Sequence, residues 1–296
     1  MKNEIKNVGI IGSGVMGHGI ALTFARYGYQ VTMNDISQEF LDNAMGAIRA
    51  GKYGLDSLIQ KSKITKEEAE TVISRINTTT DLHDLKDCNL IVEAVPEDRD
   101  MKGKIFNELD KICHEDTIFA SNTSGIMISD LSSFTSRGAK FIGMHWFNPP
   151  QIMKLVEIVK GPETSLETMD VIKSLSLTME KVPVIVNDSP GFFTTRFINS
   201  WLMEAYRIFE EGIAGIYEID QMSKLAFGFP MGPFELSDLI GLDTILHISE
   251  YMFDEMKNPA YAPPTLLKKL VLSGYTGDKK GSKGGFYKFF GIHAEK

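Results

Sequence analysis

One histidine and one carboxylate of the sequence stand in settings that suit proton transfer. His145 ends the predicted strand Lys140–His145, and the loop after it carries Asn148 and two prolines. Glu157 is the single charged residue of the apolar run Leu155–Val159. An imidazole gives and takes protons near neutral pH, and a buried carboxylate requires a partner. A pair of the two would supply a general base whose ring is oriented and whose charged form is stabilised.

Both residues also have a structural interpretation. A lone histidine at a strand end more often serves packing, and strand alternation can equally turn Glu157 towards solvent. Small hydrogen-bonding side chains follow the next strand upstream, in the run from Ser121 to Ser124. This run is typical of a helix N-cap, and it would also suit a clamp for a substrate or a nicotinamide. Composition alone does not choose between these interpretations.

A glycine-rich turn near the start of the chain predicts a dinucleotide site. Gly12, Gly14 and Gly17 follow an apolar strand with the spacing G-x-G-x-x-G, and a helical run comes next. Such glycines permit a tight turn, close approach of a pyrophosphate and close packing of helix on strand. Asp35 ends the second strand, where an acid bonds the adenosine ribose and disfavours the 2′-phosphate of NADP. We therefore predict NAD; the alternative is an ordinary glycine-rich turn with Asp35 as a helix cap.

Further charged residues are weaker candidates. Glu97 begins a helical stretch, where acids favour the helix dipole, and Lys102 one turn later would reach an anionic ligand. Four basic residues follow the second strand and would suit a ligand phosphate or, more commonly, a solvated helix face. They are Arg49, Lys52, Lys61 and Lys63. The spacing of the histidines and cysteines predicts no metal site.

Alternating strands and helices position these residues. The predicted strands are Val8–Ile11, Gln30–Asp35, Ile76–Asp81, Cys88–Val95, Thr117–Ser121, Lys140–His145, Leu155–Val159 and Val182–Val186. This alternation predicts a doubly wound parallel sheet, in which ligands bind at the carboxyl ends of the strands. After Asp188-Ser189-Pro190-Gly191 the pattern is helical, with one helix expected over Leu236–Met252. We place a domain boundary there, giving domains 1–187 and 188–296.

Composition excludes several classes of protein. The 296 residues carry 31 basic and 39 acidic side chains, a net charge of −8 that argues against a nucleic-acid surface. Two cysteines, Cys88 and Cys113, do not suggest a disulfide framework. No apolar run is long enough to span a bilayer or to serve as a leader. We expect a soluble cytoplasmic protein; a removed transit segment is compatible with this expectation.

These pieces together resemble the L-3-hydroxyacyl-CoA dehydrogenase family, close to the bacterial 3-hydroxybutyryl-CoA dehydrogenases. The resemblance covers nearly the whole chain and rests on an ordered set of motifs. They are Gly12-Ser13-Gly14-Val15-Met16-Gly17, Val92-Glu93-Ala94, Ala120-Ser121-Asn122-Thr123-Ser124, His145-Trp146-Phe147-Asn148-Pro149, Met153-Lys154-Leu155-Val156-Glu157, Pro190-Gly191-Phe192 and Pro230-Met231-Gly232-Pro233-Phe234-Glu235-Leu236.

The resemblance implies an α/β protein with a Rossmann-type NAD-binding domain followed by an all-α domain that builds a homodimer. It implies reversible oxidation of a 3-hydroxyacyl-CoA by NAD, in fatty acid β-oxidation or butanoate metabolism. In this scheme His145 is the base, Glu157 its partner, and Ser124 bonds the substrate hydroxyl. Asn148 holds substrate and nicotinamide, and the NAD site includes Glu97 and Lys102.

The resemblance also implies that basic residues of the stretch after the second strand bind the CoA nucleotide, which makes Arg49 and Lys52 substrate-binding candidates. One position departs from the family pattern. Thr195 stands before Arg196, where the family usually has asparagine, and it offers one hydroxyl in place of an amide. This departure concerns substrate range and rate more than reaction class. The competing hypotheses are a dehydrogenase of a free hydroxy acid, like gulonate dehydrogenase, and an NAD-binding protein without catalysis.

Overall fold

The computed structural model describes residues 5–292, and the chain divides into two compact units after Ser189. The first unit contains one eight-stranded sheet with the order β3-β2-β1-β4-β5-β6-β7-β8. All eight predicted strands are present. They are β1 (Asn7–Ile11), β2 (Gln30–Asn34), β3 (Ile76–Thr79), β4 (Leu90–Glu93), β5 (Ile118–Ser121), β6 (Phe141–Trp146), β7 (Leu155–Lys160) and β8 (Val182–Asn187).

The sheet is not parallel throughout, which corrects the expectation from the sequence. In the order of the sheet, the first six strands, β3-β2-β1-β4-β5-β6, are parallel to one another. Strand β7 is antiparallel to β6, and β8 pairs in parallel with β7. A parallel connection requires a crossover of a dozen or more residues, whereas only residues 147–154 join β6 to β7. The direction of the chain therefore reverses between these two strands.

Seven helices flank the strands of the first unit. They are α1 (Val15–Arg26), α2 (Gln38–Ala50), α3 (Leu55–Gln60), α4 (Lys66–Ile73), α5 (Arg99–Ile112), α6 (Ile128–Ser132) and α7 (Leu166–Thr178). Side-chain caps fix several of their starts: Ser37 accepts from the Phe40 N–H, Thr65 forms a capping box with Glu68, and Asp98 accepts from the Met101 N–H. The sequence patterns did not predict helices α6 and α7.

The core of the first unit surrounds its central strands. Val8, Ile10, Leu90 and Val92 of β1 and β4 are fully buried, as continuous apolar runs of a sheet covered on both faces should be. The edge strand β8 is instead partly exposed along its whole length.

The second unit contains helices and one isolated β-bridge between Gly277 and Gly284. Its helices are α8 (Thr194–Glu210), α9 (Ile216–Phe227), α10 (Pro233–Ile240), α11 (Leu242–Met256), α12 (Thr265–Leu272) and α13 (Phe286–Phe289). The single helix expected over Leu236–Met252 is two helices, because Gly241 adopts φ 103° between α10 and α11. Rings of Tyr206, Phe234 and Phe286 meet in the core of this unit. Over the described residues, no helix is both long and apolar enough to cross a bilayer.

Candidate active site

The antiparallel pairing of β6 and β7 places the candidate base and its carboxylate on one face of the sheet. His145 is directly opposite Glu157 in the register, and opposite residues of such a pair project to the same side. His145 Nδ1 lies 2.9 Å from Glu157 Oε2, and both side chains are buried. The structure thus selects the inward orientation of Glu157 over the outward one.

This contact assigns separate tasks to the two ring nitrogens. An ionised carboxylate only accepts hydrogen bonds, so Nδ1 carries the hydrogen of this bond. If His145 acts as a base, Nε2 is then the nitrogen that would exchange a proton with a substrate. The Phe147 ring packs with its centroid 4.5 Å from that of the imidazole and restricts its rotation.

Strand β5 ends beside β6 and supplies the neighbouring polar residues. Ser121 pairs with Gly143, so the residues after Ser121 lie at the same sheet edge as His145. Asn122 Oδ1 accepts the Trp146 N–H at 2.8 Å and thereby fixes the end of β6. The Ser124 hydroxyl is half-buried and makes no hydrogen bond within the described part of the chain.

The N-cap interpretation of the Ser121–Ser124 run holds only in part. Thr123 Oγ1 accepts the N–H of Ile126 and closes a local turn, but no side chain of this run caps helix α6. The carboxylate of Asp188 instead accepts the N–H groups of Ile128 and Ser129 at the start of that helix. Ser124 is therefore not committed to capping.

A buried ionic network lies beside the ends of β4 and β5. Lys102 Nζ lies 2.6 Å from Glu93 Oε1, 3.2 Å from the Val95 carbonyl and 3.3 Å from Glu97 Oε2. Glu93 Oε2 accepts the Ser121 hydroxyl at 2.6 Å, which ties the network to β5. An ammonium group has three donors, and all three have acceptors here.

Glu97 connects this network to the turn that carries Ser124. Its Oε1 accepts the Thr123 hydroxyl at 2.5 Å, the Ser124 N–H at 2.9 Å and the Gly125 N–H at 3.2 Å. Burial alone would raise the pKa of the Glu97 carboxyl, but the charge of Lys102 and these hydrogen bonds outweigh it and lower the pKa.

The pKa of the Lys102 ammonium reflects the same balance. Burial alone would lower this pKa, and the carboxylates of Glu93 and Glu97 raise it above its usual value. Lys102 is 1% exposed. In this structure its ammonium group neutralises two carboxylates. Contact of Glu97 or Lys102 with a cofactor stays a prediction.

The glycine-rich turn has the geometry that a dinucleotide requires. Gly12 adopts φ 91°, and a side chain there would also meet the Ala94 carbonyl at 2.7 Å. A Cβ atom on Gly17 would overlap the Gly12 carbonyl, whereas one on Gly14 would meet nothing within 4 Å. Space above Gly14 thus opens beside the first-turn N–H groups of α1, where Val15 and Met16 lie.

Asp35 follows β2 and contacts this turn. Its Oδ2 accepts the N–H and the hydroxyl of Ser13, both at 2.7 Å, and its Oδ1 accepts the Ile36 N–H. The cap of the following helix is Ser37, so the alternative interpretation of Asp35 as a helix cap is wrong. Asp35 therefore stands at the position expected for a ribose-binding acid.

Two of the basic candidates have local partners in the fold. Arg49 ends α2 and forms an exposed ion pair with Glu70 of α4. Its side chain also lines a cavity of about 210 Å³ between α2, α3 and α4. Lys52 lies over the Tyr53 ring at 5.3 Å. Their role as CoA contacts stays a prediction, as does that of Lys61 and Lys63.

Two further residues, Asn148 and Thr195, stay predictions as substrate contacts. Asn148 is exposed in the loop after β6, and Thr195 lies in the first turn of α8 in the second unit. Within residues 5–292 no group of three or more histidine, cysteine or acidic side chains could hold a metal ion; His293 lies outside the described residues.

Sequence reasoning assigned no role to three residues that shape this site. Glu93 is an acid inside an apolar strand, the same signal that identified Glu157, and could have been singled out on that ground. Asn122 was considered only as part of the polar run from Ser121 to Ser124 and was given no role of its own. Lys181 precedes β8 and bonds two carbonyls of the β6–β7 loop, and no sequence signal distinguished it from a surface lysine.

Comparison with known families covers both units. The family model described as the NAD-binding domain of 3-hydroxyacyl-CoA dehydrogenase matches residues 7–189. The model described as the C-terminal domain of 3-hydroxyacyl-CoA dehydrogenase matches residues 191–289.

Individual proteins agree with these matches. A probable 3-hydroxybutyryl-CoA dehydrogenase of Deinococcus radiodurans is 42% identical over 281 residues, covering 95% of this chain and 99% of that protein. The human mitochondrial hydroxyacyl-coenzyme A dehydrogenase is 39% identical, covering 96% of this chain and 91% of that one. The crystal structure of (S)-3-hydroxybutyryl-CoA dehydrogenase from Ralstonia eutropha matches with a TM-score of 0.89 and 40% identity, covering 94% and 98%.

Removal of the Lys102 ammonium tests the network beneath the site. Lys102→Met leaves Glu93 and Glu97 as buried carboxylates without a cation, so we expect the free energy of unfolding in denaturant to fall by about 3–5 kcal/mol. Because the stranded carboxylates should bind protons more readily, the loss should shrink as the pH is lowered. Arg49→Met removes an exposed cation and should leave the unfolding free energy nearly unchanged. Equal stability of the two variants would contradict the network.

Proposed function

The chain belongs to the 3-hydroxyacyl-CoA dehydrogenase family, and from this we propose that it oxidises (S)-3-hydroxyacyl-CoA thioesters reversibly to 3-oxoacyl-CoA with NAD. The preferred substrates resemble 3-hydroxybutyryl-CoA. The observation that carries the proposal is the buried contact between His145 and Glu157 at the sheet edge formed by β5 and β6. A hydroxyl oxidation requires a proton acceptor at this place, and a histidine held by a carboxylate provides one.

The first unit fits a dinucleotide. The open space at Gly14, the first-turn N–H groups of α1 and the carboxylate of Asp35 would hold the pyrophosphate and a ribose. The residues from Gly12 to Gly17, including Ser13, Val15 and Met16, would form this contact. NAD, when bound, supplies the hydride acceptor for C3 of the substrate.

We assign the proton transfer to His145. Its Nε2 removes the proton of the 3-hydroxyl group, and the hydrogen on Nδ1 remains directed at Glu157. The carboxylate then stabilises the imidazolium that forms, because the positive charge appears within 2.9 Å of it. Burial of both groups strengthens this interaction, since water does not screen it.

The remaining polar residues would bind and orient the substrate. The Ser124 hydroxyl would hold the substrate oxygen, and the backbone of its turn is fixed by Glu97. Asn148 would contact substrate and nicotinamide, and Thr195 would bond the acyl part through its single hydroxyl. Arg49 and Lys52 are the candidates for the phosphates of CoA. Such orientation supplies a large part of the rate enhancement in reactions of bound partners.

Turnover with a series of substrates tests the proposed reaction. We expect NADH absorbance to rise with 3-hydroxybutyryl-CoA and with longer 3-hydroxyacyl-CoAs, and to rise far less with NADP because Asp35 repels its 2′-phosphate. Free hydroxy acids such as gulonate serve as the control. Faster turnover of the free acids, or NAD binding without turnover of any substrate, would overturn the proposal.

Replacement of the base tests the assignment of His145. His145→Gln retains a side chain that can bond Glu157 but cannot take the proton, so kcat should fall by about 10²–10⁴-fold while NAD still binds. His83→Gln is the matched control, because His83 is an exposed histidine that bonds Asp81. NADH formation and NAD titration measure the two effects. Near-normal turnover of the His145 variant would refute the assignment.

We also propose that the chain forms a homodimer through its helical unit. Large apolar side chains are exposed on α8 and α9, among them Phe197, Met222, Leu225 and Phe227. Leu225 is 83% exposed and Phe227 73% exposed. Because α8 and α9 contact each other, these side chains are candidates for one apolar interaction surface.

Charge placed on this surface should separate the subunits. Leu225→Glu combined with Phe227→Glu should shift the protein from dimer to monomer in sedimentation velocity, whereas Leu166→Glu on the first unit should not. A monomeric unmodified protein would contradict the proposal.

A cytoplasmic location is a further part of our proposal. It is supported by Cys88 and Cys113, two buried cysteines that form no disulfide and suit a reducing compartment.

A further inference from the structure

The loop between β6 and β7 is clamped by one buried lysine. Lys181, the residue before β8, directs its ammonium at the Pro150 carbonyl, 2.6 Å away, and at the Met153 carbonyl, 2.9 Å away. Its Nζ also lies 5.4 Å from the centroid of the Trp146 ring. The side chain is 7% exposed, so these contacts are made largely out of water.

The loop is a tight turn that requires such a clamp. The N–H groups of Ile152 and Met153 both donate to the Pro149 carbonyl at 3.0 Å. The carbonyls of Pro150 and Met153 accept hydrogen bonds from the Lys181 ammonium, much as the last carbonyls of a helix accept them from a nearby lysine. On the opposite side the loop packs on α1 at Gly19, where any Cβ atom would overlap Pro150.

Lys181 has no anionic partner. Within residues 5–292 no carboxylate forms an ion pair with it, and the charged group that acts on its pKa besides burial is a cation, Arg26 at the end of α1. The neighbouring acid, Glu180, is bonded to Tyr27. The ammonium is therefore held by neutral carbonyls alone, which is a costly arrangement for a charge used only to fill space.

We propose that Lys181 is a positioning residue for the reaction, whose charged side chain holds the loop 147–154 in the form that presents Asn148 to the substrate. This inference rests on the proposed function, because it assumes that Asn148 contacts the substrate or the nicotinamide. The same loop joins the strands that carry His145 and Glu157, so its conformation also bears on the ends of both strands. Lys181 bonds the loop at Pro150 and Met153 and not at Asn148, so it would act on the substrate only through the loop.

Titration of Lys181 distinguishes positioning from simple packing. Burial, reinforced by Arg26, lowers the pKa of this lysine to about 8. Above this pH the neutral amine donates weaker hydrogen bonds to the two carbonyls, and the clamp loosens. Global stability responds in the opposite direction: between pH 8 and the usual lysine pKa the unfolded chain binds the proton more tightly, so this group's contribution to folding rises with pH.

Substitution at Lys181 should therefore change the pH profile of the reaction. We expect kcat/KM of the unmodified protein to decline above pH 8 while its melting temperature does not. Lys181→Gln, which resembles the neutral amine, should lower kcat/KM at pH 7 by about 10- to 100-fold and lack that decline. Lys181→Arg keeps its charge at all working pH values, so it should retain activity at pH 7 and lack the decline above pH 8. NAD affinity should stay the same in both.

The exposed Lys173 of α7 provides the matched control, and Lys173→Gln should leave the profile unchanged. Amide exchange gives a second readout: the Ile152 and Met153 amides should exchange faster in Lys181→Gln, while those of α7 should not. A profile for Lys181→Gln that retains the alkaline decline, or unchanged exchange in the loop, would overturn the inference. If the unmodified protein does not oxidise 3-hydroxyacyl-CoA at all, the proposed function fails, and loop exchange alone then decides the role of Lys181.

Discussion

The reversal of chain direction between β6 and β7 is the constraint on which the site depends. In an antiparallel pair, residues that face each other across the ladder share a face, and here His145 and Glu157 are such a pair. A shift of the register by one residue would turn one of the two side chains to the opposite face. The bond between them is therefore a property of the backbone pairing as much as of the side chains, and the short loop 147–154 determines that pairing.

Buried charges explain how the rest of the sheet edge is built around this pair. Glu93 and Glu157 each place a carboxylate in a strand that is otherwise apolar, and each is nearly inaccessible to water. Such groups persist only with partners of complementary charge or with several donors. Glu93 recruits Lys102 and the Ser121 hydroxyl, and the network continues through Glu97 to the Ser124 N–H. The turn that bears Ser124 is thus as firmly placed as the strand that bears His145.

Much of this could be predicted from local patterns. The eight strands, the cap at Ser37 and the capping box at Thr65 follow from residue types at short spacing, and the glycine turn followed from its fingerprint. The antiparallel step could not, because a strand's direction depends on its connection and neighbours, and apolar runs look the same in both directions. The break at Gly241 was missed because a glycine within a helical pattern is often tolerated. The burial of Lys102 was not predicted, because it depends on Glu93, which pairs with Lys102 only in the fold.

Three buried ionic arrangements of the first unit differ in whether the partner of the charged group can take up a proton. Glu93 faces Lys102, whose raised pKa keeps it a cation, so this pair is locked and can only support structure. Lys181 faces carbonyl oxygens, which cannot take up a proton at all. Glu157 faces an imidazole, which can take a proton from a substrate while the carboxylate stabilises the charge that forms. Of these arrangements only the last can both accept a proton and stabilise the result. We therefore place the proposed proton transfer at the strand pair β6–β7, and the neighbouring networks fix the residues around it.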